Sequence, residues 1–472
     1  MTIANHMKNT RYHQFLNSYP AYAQTNMIDV MRERDYAILD KSHAVYLDYT
    51  GGGLYAASQL NAHHDLLRRN IFGNPHSYNP TSLHATKLVE SARQFVLDYF
   101  HAPADEYVCI FTQNASGALK IIGESYPFGE GCQYTLIFDN HNSVNGIREY
   151  ARVKGADVRY IPVVLPDLRV DEEALFSELS RLNTGCFNLF AFPAQSNFSG
   201  VQHPLSWIGK AQALGWDVLL DAAAFAPTNP LDLSRWKPDF VPLSFYKMFG
   251  YPTGIGALIA RKDTIQKLRR SWFAGGTTSV ASVRGGKHYP ADAPAQFEDG
   301  TVDYLNIPAV EIGLRHLQSI GYEVIHERVT SLTGWLLDSL NTLHHKNGSP
   351  LIKVYGPLNT ESRGGTVTIN FFDDQGRLIP KSDLETEANR RNISIRMGFF
   401  CNPGAGEIAL DISTDELASC FSRPKFMQRL SDLDFQNCID PKASGAVRVS
   451  VGLASNFADI EAFCAFAATF LR

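Results

Sequence analysis

The sequence lacks several features that would assign the protein to a particular class. Its 472 residues contain no run of 18 or more apolar residues, so no membrane-spanning helix is predicted. The first twenty residues, MTIANHMKNTRYHQFLNSYP, are polar and have no apolar core like that of a secretory signal. No long lysine or arginine run occurs and the formal net charge is −5, so neither a membrane nor a nucleic acid is an expected partner.

Cysteine is scarce and scattered. No Cys-x-x-Cys pair occurs, and an odd, scattered set favours reduced thiols over a disulfide framework or a zinc site. We therefore predict no metal site and a cytoplasmic location, and the spacing alone identifies no reactive thiol. The seven cysteines are Cys109, Cys132, Cys186, Cys401, Cys420, Cys438 and Cys464.

The remaining composition is that of a globular protein, with 44% hydrophobic and 19% charged residues, and the length predicts more than one domain. From about residue 105, short apolar runs rich in strand formers alternate with helix-like stretches. This order predicts βαβ units and a mostly parallel sheet with helices on both faces. The predicted strands are 107–113, 134–140, 158–164, 186–194, 216–225, 240–247 and 254–262.

The pattern changes after about residue 310. A helix-like stretch over 308–345 is followed by isolated strands over 364–372, 392–400 and 446–456, which predicts a second, smaller α+β domain. We predict three parts: an N-terminal segment, 1–40, that packs on the small domain; a large domain, 41–310; and a small C-terminal domain, 311–472.

Polar side chains follow five predicted strands at the point where each strand ends. In open parallel sheets ligands bind beyond the carboxyl ends of the strands, so these groups are expected to meet at one edge. They are TQNASG (112–117), Asn140 with His141, PAQSNFSG (193–200), Asp221, and Tyr246 with Lys247.

Each of these groups alone also has an ordinary structural interpretation. A serine such as Ser116 caps helices, Asp221 is suited to cap a turn, His141 is suited to a plain hydrogen bond, and Lys247 to solvent. Together they supply an amine, a carboxylate, an imidazole that can stack, and a helix N-terminus that binds anions. Pyridoxal phosphate requires all four. Burial at the end of an apolar strand is expected to lower the pKa of Lys247 and make it a nucleophile.

Long stretches of the chain resemble class V, fold-type I pyridoxal-phosphate enzymes. Within that class they are most similar to the N-terminal cysteine-desulfurase-like domain of molybdenum cofactor sulfurases, from about residue 40 onward. The resemblance implies an α/β fold in which a large domain with a mainly parallel sheet is joined to a smaller α+β domain. The most specific matching stretches are FPAQSNFSG (192–200), SFYKMFGYPTG (244–254) and CNPGA (401–405).

The resemblance also implies roles for individual residues. Lys247 matches the lysine that binds the cofactor covalently, Asp221 the aspartate at the pyridine nitrogen, and His141 the histidine stacked on the ring. Asn197 matches an asparagine near the cofactor's O3′ and the substrate, and Arg448 the arginine that binds the substrate carboxylate, a task suited to a planar guanidinium. The residues implied at the phosphate are Ala115, Ser116, Ser244 and Tyr246, with Thr277 and Thr278, in the Gly275–Thr278 loop, reaching the phosphate of the other subunit of a homodimer.

Cys401 matches a cysteine on a loop of the small domain that attacks the sulfur of a bound cysteine. A persulfide forms on the enzyme and alanine leaves. This chemistry needs a thiolate, which nearby cations such as Arg396 would favour. The ordinary interpretation is that Cys401 is a small buried hydrophobic residue.

The sequence departs from the family pattern in four places. Phe399 and Gly406 stand where further loop cysteines are usual, Ala224 stands in place of a glutamine that contacts O3′, and the Gly51–Gly53 triplet is unusual. From the end of the sequence at residue 472, we expect no counterpart of the large C-terminal domain of full-length sulfurases. The resemblance therefore extends to fold and cofactor, and delivery of sulfur to molybdenum cofactor does not follow from it.

Three functional hypotheses remain open on the sequence. The first is a cysteine desulfurase-like enzyme that cleaves the C–S bond of L-cysteine or a related amino acid. It would be a homodimer with its active site at the subunit interface. Sulfur would pass to Cys401 and then to an acceptor protein or small molecule. The second is a β-eliminating C–S lyase, or another class V amino-acid transformation, without a persulfide. The third is a non-catalytic scaffold or sulfur-relay partner, which the Lys247, Asp221 and His141 set argues against.

Overall fold

The computed structural model describes residues 3–423, 429–439 and 444–472 of the chain. In these ranges the strands are, in chain order, β1 (Val45–Tyr46), β2 (Tyr107–Thr112), β3 (Gln133–Ile137), β4 (Asp157–Ile161), β5 (Val163–Val164), β6 (Arg169–Val170), β7 (Leu189–Pro193), β8 (Asp217–Asp221), β9 (Phe240–Ser244), β10 (Gly256–Arg261), β11 (Thr278–Ser282), β12 (Lys287–Pro290), β13 (Ile352–Tyr355), β14 (Thr366–Phe371), β15 (Ile393–Ser394), β16 (Arg396–Gly398) and β17 (Ala446–Ser450).

The helices of the same ranges are α1 (Ile3–Ser18), α2 (Asn26–Asp35), α3 (Ala37–Lys41), α4 (Ala57–Arg69), α5 (Pro80–Tyr99), α6 (Ala115–Ser125), α7 (Asn142–Asn145), α8 (Ile147–Val153), α9 (Glu172–Leu179), α10 (Trp207–Ala213), α11 (Phe245–Phe249), α12 (Lys262–Ile265), α13 (Ile307–Ile320), α14 (Tyr322–Asn341), α15 (Lys381–Arg390), α16 (Pro403–Ala409), α17 (Thr414–Phe421), α18 (Asp432–Ile439) and α19 (Phe457–Ala467). Short 3₁₀ turns cover Pro20–Thr25, Ala295–Phe297 and Ala468–Phe470.

A seven-stranded sheet in the order β2-β10-β9-β8-β7-β3-β4 forms the larger layer of the fold. All pairings are parallel except those of β10, which runs antiparallel to both β2 and β9. Strands β3, β7, β8 and β9 are buried along their whole length, as expected for a sheet covered by helices on both faces. The predicted α/β class, with a mostly parallel sheet, is confirmed.

A second, antiparallel sheet has the order β13-β14-β17-β16. Its apolar face belongs to a core that also includes residues of α14 and α19 and, from the start of the chain, Phe15 and Tyr22. The two-residue strand β1 pairs in parallel with β15, and Asp48 forms a bridge with Ser450 at the end of β17. These pairings bring the YLDY segment (46–49) beside the second sheet. The division into 1–40, 41–310 and 311–472 stays a prediction.

Three local features differ from the predicted elements. The strand predicted over 240–247 ends at Ser244, and Lys247 lies in the short helix α11, where the rings of Phe245 and Phe249 stack one turn apart. The helix predicted over 308–345 is two helices, because Gly321 has φ +89° and ends the first. The hairpin β11–β12 was not predicted, since its strands are exposed and have no apolar alternation.

The expectation that all cysteines are reduced is wrong at one place. Cys420, in α17, and Cys438, in α18, are joined by a disulfide. The two cysteines are 18 residues apart in sequence, and only the packing of α17 against α18 brings them together. The spacing of the cysteines in the sequence therefore did not indicate this disulfide. The other five cysteines are free thiols: Cys109, Cys132, Cys186, Cys401 and Cys464.

Residues 3–423, 429–439 and 444–472 contain neither a membrane-spanning helix nor a metal-binding cluster. None of their helices combines the length and the apolar character needed to cross a bilayer. Within these same residues, no three histidine, cysteine, aspartate or glutamate side chains come together as a metal site would require.

A buried arginine ties the N-terminal helices to the last helix. Arg32, in α2, is 4% exposed and donates to the Asp459 carboxylate at 2.5 Å and to the Ala454 carbonyl at 2.6 Å. Its other nitrogen donates to Asp40 at 2.8 Å. Because Asp459 caps α19, one guanidinium stabilises the contact between the two ends of the described chain.

Replacing this arginine is expected to destabilise the protein. Arg32→Ala leaves the buried Asp459 carboxylate without its cation, which should lower the free energy of unfolding by about 3–5 kcal/mol. Chemical denaturation followed by circular dichroism measures the effect. Arg69→Ala is the matched control, because Arg69 pairs with Asp65 on an exposed helix surface, and its denaturation midpoint should not move. An Arg32→Ala midpoint equal to that of the control would contradict this account.

Candidate active site

One cavity lies at the carboxyl ends of the parallel strands and contains most of the residues predicted from the sequence. Strands β7, β8 and β9 end at its wall, as expected for a ligand site in an open parallel sheet. The residues that line it are Asn114, Ala115, Ser116, Leu119, His141, Ser143, Pro193, Gln195, Asn197, Asp221, Ala223, Ala224, Ser244, Tyr246 and Lys247.

Lys247 lies in the cavity wall one helical turn after β9. Burial lowers the pKa of its amine, the nearby Asp221 carboxylate opposes that change, and the Arg448 cation adds to it. The lowered pKa increases the fraction of neutral amine at physiological pH. A neutral amine is a nucleophile and a proton acceptor, which a solvated lysine is not.

Asp221 is the last residue of β8 and is buried. Its Oδ1 accepts a hydrogen bond from the backbone N–H of Ala223 at 3.0 Å, which fixes the orientation of the carboxylate in the cavity wall. Ala223 and Ala224 follow it there. The carboxylate therefore faces the cavity across small side chains that leave room for a planar ring.

His141 caps the N-terminus of α7. Its Nδ1 accepts the backbone N–H of Ser143 at 3.1 Å, so the ring proton of the neutral imidazole lies on Nε2. Burial and the Lys247 cation lower the pKa of His141 to about 4, against an opposing effect of Asp221. The imidazole is therefore neutral at physiological pH and can lie against an aromatic ring.

The N-terminus of α6 forms an anion-binding corner of the cavity. The backbone N–H of Ala115 donates to the buried hydroxyl of Ser244 at 2.9 Å, and the hydroxyls of Ser116 and Ser143 are 2.6 Å apart. Asn114, not Ser116, is the residue that caps the helix, through a hydrogen bond from the N–H of Gly117. Hydroxyls and helix N–H groups at the positive end of α6 suit a phosphate.

Asn197 holds the loop that carries Cys401. Its Nδ2 donates to the Phe400 carbonyl at 2.7 Å, and its Oδ1 accepts from Asn402 at 2.9 Å. The same amide of Asn402 donates to the fully buried Asp139 at 2.7 Å. The side chain of Asn197 therefore joins the cavity to the loop at 399–402.

The Cys401 loop has an unusual backbone. Phe400 and Cys401 are consecutive non-glycine residues with φ +56° and +55°, a conformation that costs free energy at each residue. The backbone N–H of Asn142 donates to the Cys401 carbonyl at 2.6 Å, directly beside His141. The hydrogen bonds to Asn197, Asn402 and Asn142 hold this conformation in place.

Cys401 is exposed and does not line the cavity itself. A thiolate at this position nevertheless favours the protonated forms of Lys247, Arg448 and Arg396, so the sulfur lies within electrostatic reach of all three cations. The structure thus places Cys401 at the rim of the site and not in a hydrophobic core, which corrects the ordinary interpretation of this residue.

Arg448, in β17, is buried, and its three nitrogens have different surroundings. One donates to the carbonyl of Asn197 at 3.1 Å and another to Asp48 at 2.9 Å. The Nε of Arg448 is buried without a hydrogen-bond partner in the structure. Burial lowers the pKa of Arg448, and Asp48 opposes that change. A buried guanidinium with an unused donor beside Asn197 is suited to a ligand carboxylate.

Four predicted residues do not line this cavity. Arg448 and Cys401 lie beside it, and Arg448 contacts Asn197, which does line it. Thr277 and Thr278 line a different cavity, beside Trp272, Phe273 and His288. The Thr277 hydroxyl is bonded within its own loop, to the backbone of Ala274. Within a single chain these two threonines therefore do not contact the cavity that contains Lys247.

Sequence reasoning missed four residues that contribute to the site. Asn114 in QNASG carried a helix-capping signal, and Gln195 lay inside the quoted PAQSNFSG stretch. Asp48 and Asp139 had no local signal, because their importance depends on partners 400 and 263 residues away.

The donor set fits pyridoxal phosphate, the cofactor predicted from the sequence. An amine with a lowered pKa, a carboxylate oriented by a backbone N–H and a neutral imidazole surround one space. The helix N-terminus and the serine hydroxyls at its corner match a phosphate group. Lys247, Asp221, His141 and the corner formed by Ala115, Ser116 and Ser244 are thus the residues that would hold it.

Comparison with known proteins agrees with the resemblance noted in the sequence. Human molybdenum cofactor sulfurase is 36% identical over 459 residues, which cover 92% of this chain and 50% of the human protein. The Arabidopsis thaliana protein of the same name is 36% identical over 479 residues, or 93% of this chain and 57% of that protein. The chain thus spans about half the length of these relatives.

Solved structures share the fold at lower sequence identity. The cysteine desulfurase of Thermococcus onnurineus NA1 superposes with a TM-score of 0.75 at 22% identity, covering 94% of this chain and 98% of that one. The Escherichia coli cysteine desulfurase CsdA superposes with a TM-score of 0.72 at 19% identity, covering 94% and 99%. The family model for aminotransferase class-V matches residues 45–463. The chain belongs to the aminotransferase class-V family of pyridoxal-phosphate enzymes.

Proposed function

We propose that the protein is a cysteine desulfurase-like enzyme that cleaves the C–S bond of L-cysteine or a closely related amino acid and passes the sulfur to Cys401. The observation that carries the proposal is the arrangement of Lys247, Asp221 and His141 around one cavity with the Cys401 thiol at its rim. The names of the sulfurase relatives and of the desulfurase structures support the same chemistry.

The substrate's carboxylate would bind at Arg448. This buried guanidinium has an unused Nε donor, and its Nη1 donates to the carbonyl of Asn197, a residue that lines the cavity. A carboxylate there accepts a charge-assisted hydrogen bond and neutralises a cation that burial disfavours. The amino group of the same substrate is then directed into the cavity towards Lys247.

Pyridoxal phosphate, when bound, supplies an aldehyde that takes up the amino group and a ring that withdraws electrons from the substrate's α-carbon. The Asp221 carboxylate stabilises a proton on the ring nitrogen. Lys247, with its lowered pKa, removes the proton at the substrate's α-carbon as a general base. His141, neutral and carrying its proton on Nε2, would stack on the ring of the bound cofactor.

Cys401 would accept the sulfur. Its thiolate attacks the substrate sulfur, so that an S–S bond forms and the C–S bond breaks. The electron pair of the broken bond leaves with the carbon skeleton, which takes up a proton and is released as alanine. The Arg396 and Arg448 cations lie within electrostatic reach of the sulfur.

The alternative is a β-eliminating C–S lyase without an enzyme persulfide. It is favoured by one observation, the exposure of Cys401 outside the residues that line the cavity. Elimination needs the same lysine base, releases sulfide directly and gives pyruvate and ammonia in place of alanine. The small side chain at Ala224, where a glutamine is usual in related desulfurases, leaves space for either reaction.

The quaternary structure, location and sulfur acceptor belong to the same proposal. A homodimer is supported by the exposed hairpin β11–β12, on which Val280, Val283 and Tyr289 are 57%, 101% and 58% exposed. Thr277 and Thr278 at its base would reach the phosphate corner of the other subunit. We propose a cytoplasmic enzyme whose sulfur acceptor is a protein or a small molecule, and delivery to molybdenum cofactor is not part of the proposal.

The first test concerns Lys247. Borohydride reduction of the cofactor-loaded protein should fix the cofactor to the peptide that contains Lys247, as detected by mass spectrometry. Lys247→Ala should lose this adduct and lower turnover by about a hundredfold or more, because the base at the α-carbon is lost. Lys120→Ala, on the exposed face of α6, is the control and should retain both. An adduct on another lysine would contradict the assignment.

The second test separates the two reactions. The loaded protein is incubated with L-cysteine and a reductant, and alanine, pyruvate and sulfide are measured together. The proposal predicts alanine with sulfide, and a loss of about a hundredfold or more in Cys401→Ala. Cys186→Ala, at another partly exposed thiol, should behave as wild type. Pyruvate as the main product, unaffected by Cys401→Ala, would establish the lyase instead.

The third test concerns the dimer. Val280→Asp introduces a charge on the apolar surface of the hairpin and should shift sedimentation velocity from dimer to monomer. Because Thr277 and Thr278 would then be withdrawn from the other subunit's phosphate, cofactor affinity should fall by about tenfold. Val153→Asp, at a more exposed valine of α8, is the control. A monomeric wild type that binds cofactor fully would contradict this assembly.

A further inference from the structure

A cluster of two arginines and one aspartate connects three parts of the site. Asp48 Oδ1 accepts from Arg448 at 2.9 Å, and Oδ2 accepts from the Nη2 of Arg396 at 2.7 Å. The Nε of Arg396 lies 3.1 and 3.0 Å from the two carboxylate oxygens, so this pair is bidentate. Asp48 is therefore shared between a buried arginine, 3% exposed, and one that is 50% exposed.

The backbone around Asp48 is fixed from both sides. Asp48 forms a bridge with Ser450, and its carbonyl accepts the N–H groups of Gly51 and Gly52 at 2.9 and 3.2 Å. The N–H of Gly53 then donates to the carbonyl of Tyr246 at 2.9 Å, in the helix that carries Lys247. The segment 48–53 thus joins the end of the second sheet to α11.

The unusual glycine triplet has a physical reason in this cluster. A Cβ atom on Gly51 would lie 2.6 Å from Asp48 Oδ2 and 2.7 Å from an Arg396 nitrogen, so it would have to displace the ends of these two side chains. A Cβ on Gly53 would lie 3.0 Å from the Lys247 carbonyl, a tight contact with the backbone of α11. The first and third glycines therefore allow the close approach of this segment to the ion pair and to α11.

The position of Arg396 connects the cluster to Cys401. Arg396 begins β16, which pairs antiparallel with β17 so that Arg396 lies opposite Arg448. β16 ends at Gly398, three residues before Cys401. The pairing of Arg396 with Asp48 therefore fixes the position of β16, the strand that leads into the Cys401 loop. The pairing of Asp48 with Arg448 fixes the arginine that would bind the substrate carboxylate.

We propose that Asp48 is a positioning residue that holds Arg448 and Arg396 as one unit, and so sets the substrate's carboxylate site and the Cys401 loop relative to each other. The role in substrate binding rests on the function proposed above. The role at Cys401 does not, because it concerns the charges around a thiol that is present with or without substrate.

The charges of Asp48, Arg396 and Arg448 should have a measurable effect on the reactivity of the Cys401 thiol. Arg396 on β16, Arg448 on β17, and Lys247 and Tyr246 on α11 lie within electrostatic reach of Cys401. Asp139 and His141 also face its loop, through the hydrogen bonds of Asn402 and Asn142. Asp48 neutralises part of the positive charge of the two arginines. Its removal increases the net positive charge that the thiol experiences and favours the thiolate.

The experiment measures the alkylation of Cys401 by iodoacetamide between pH 5 and 10 in the cofactor-free protein, followed by mass spectrometry of the Cys401 peptide. Asp48→Asn should move the midpoint to lower pH by about half a unit or more, and Arg396→Gln should move it to higher pH. A folding defect does not give opposite shifts in two variants of one ion pair. Asp40→Asn, which removes an exposed carboxylate from Arg32, is the control and should coincide with wild type.

A second measurement uses the loaded enzyme with L-cysteine. Asp48→Asn should raise KM by about tenfold and change kcat less, because the arginine that binds the carboxylate loses a charge-assisted anchor.

Alkylation profiles of Asp48→Asn and Arg396→Gln that coincide with wild type would overturn the proposal, even if both variants were less stable. Absence of turnover in wild type would instead refute the proposed function, and the alkylation profiles would still decide the role of Asp48. If Asp48→Asn does not fold, the Arg396→Gln profile decides alone.

Discussion

The low pKa of Lys247 is the constraint on which the rest of the site depends. A lysine amine inside a protein is stable only if burial makes it partly neutral or if anions surround it, and here both effects act together. The parallel sheet supplies the geometry, because the adjacent strands β8 and β9 end side by side and deliver Asp221 and Lys247 to one wall. His141 remains neutral because burial, and after it the Lys247 cation, lower its pKa to about 4. The charge states of the amine, the carboxylate and the imidazole thus depend on one another.

The backbone conformation of the Cys401 loop is fixed separately, by hydrogen bonds. Two consecutive residues in the left-handed region of φ are unfavourable, and loops that carry mobile groups do not usually need them. Segments that follow strands of the larger sheet hold them. The side chains of Asn197, after β7, and Asp139, after β3, bond to the loop, and so does the backbone N–H of Asn142. The residues that present the cavity are therefore also the residues that hold the thiol loop. The fold therefore fixes the position of the Cys401 thiol relative to the cavity.

Much of this could be predicted from the sequence. Strands β2, β3, β7, β8, β9 and β10 are apolar runs bounded by turn residues, and the polar residues at the ends of the parallel ones are adjacent in sequence to the runs themselves. Lys247, Asp221, His141 and Asn197 were therefore identifiable from local pattern and resemblance. The hairpin β11–β12 was not, because an exposed strand pair lacks the alternation that marks a buried face. The disulfide between Cys420 and Cys438 depends on the packing of two helices, on which cysteine spacing carries no information.

Asp48 marks the limit of such prediction most clearly. Within YLDYTGGG it is one polar residue after a two-residue strand, and its environment becomes visible only when Arg448 and Arg396 arrive from the far end of the chain. The only local sign was the glycine triplet, which appeared as a departure from the family pattern. A triplet of glycines lowers the conformational stability of a segment, so its presence implies that something must approach the backbone closely. Here that neighbour is an ion pair on one side and the backbone of α11 on the other. The glycines at 51 and 53 are therefore explained by the closeness of these neighbours and not by a preference for helix or strand.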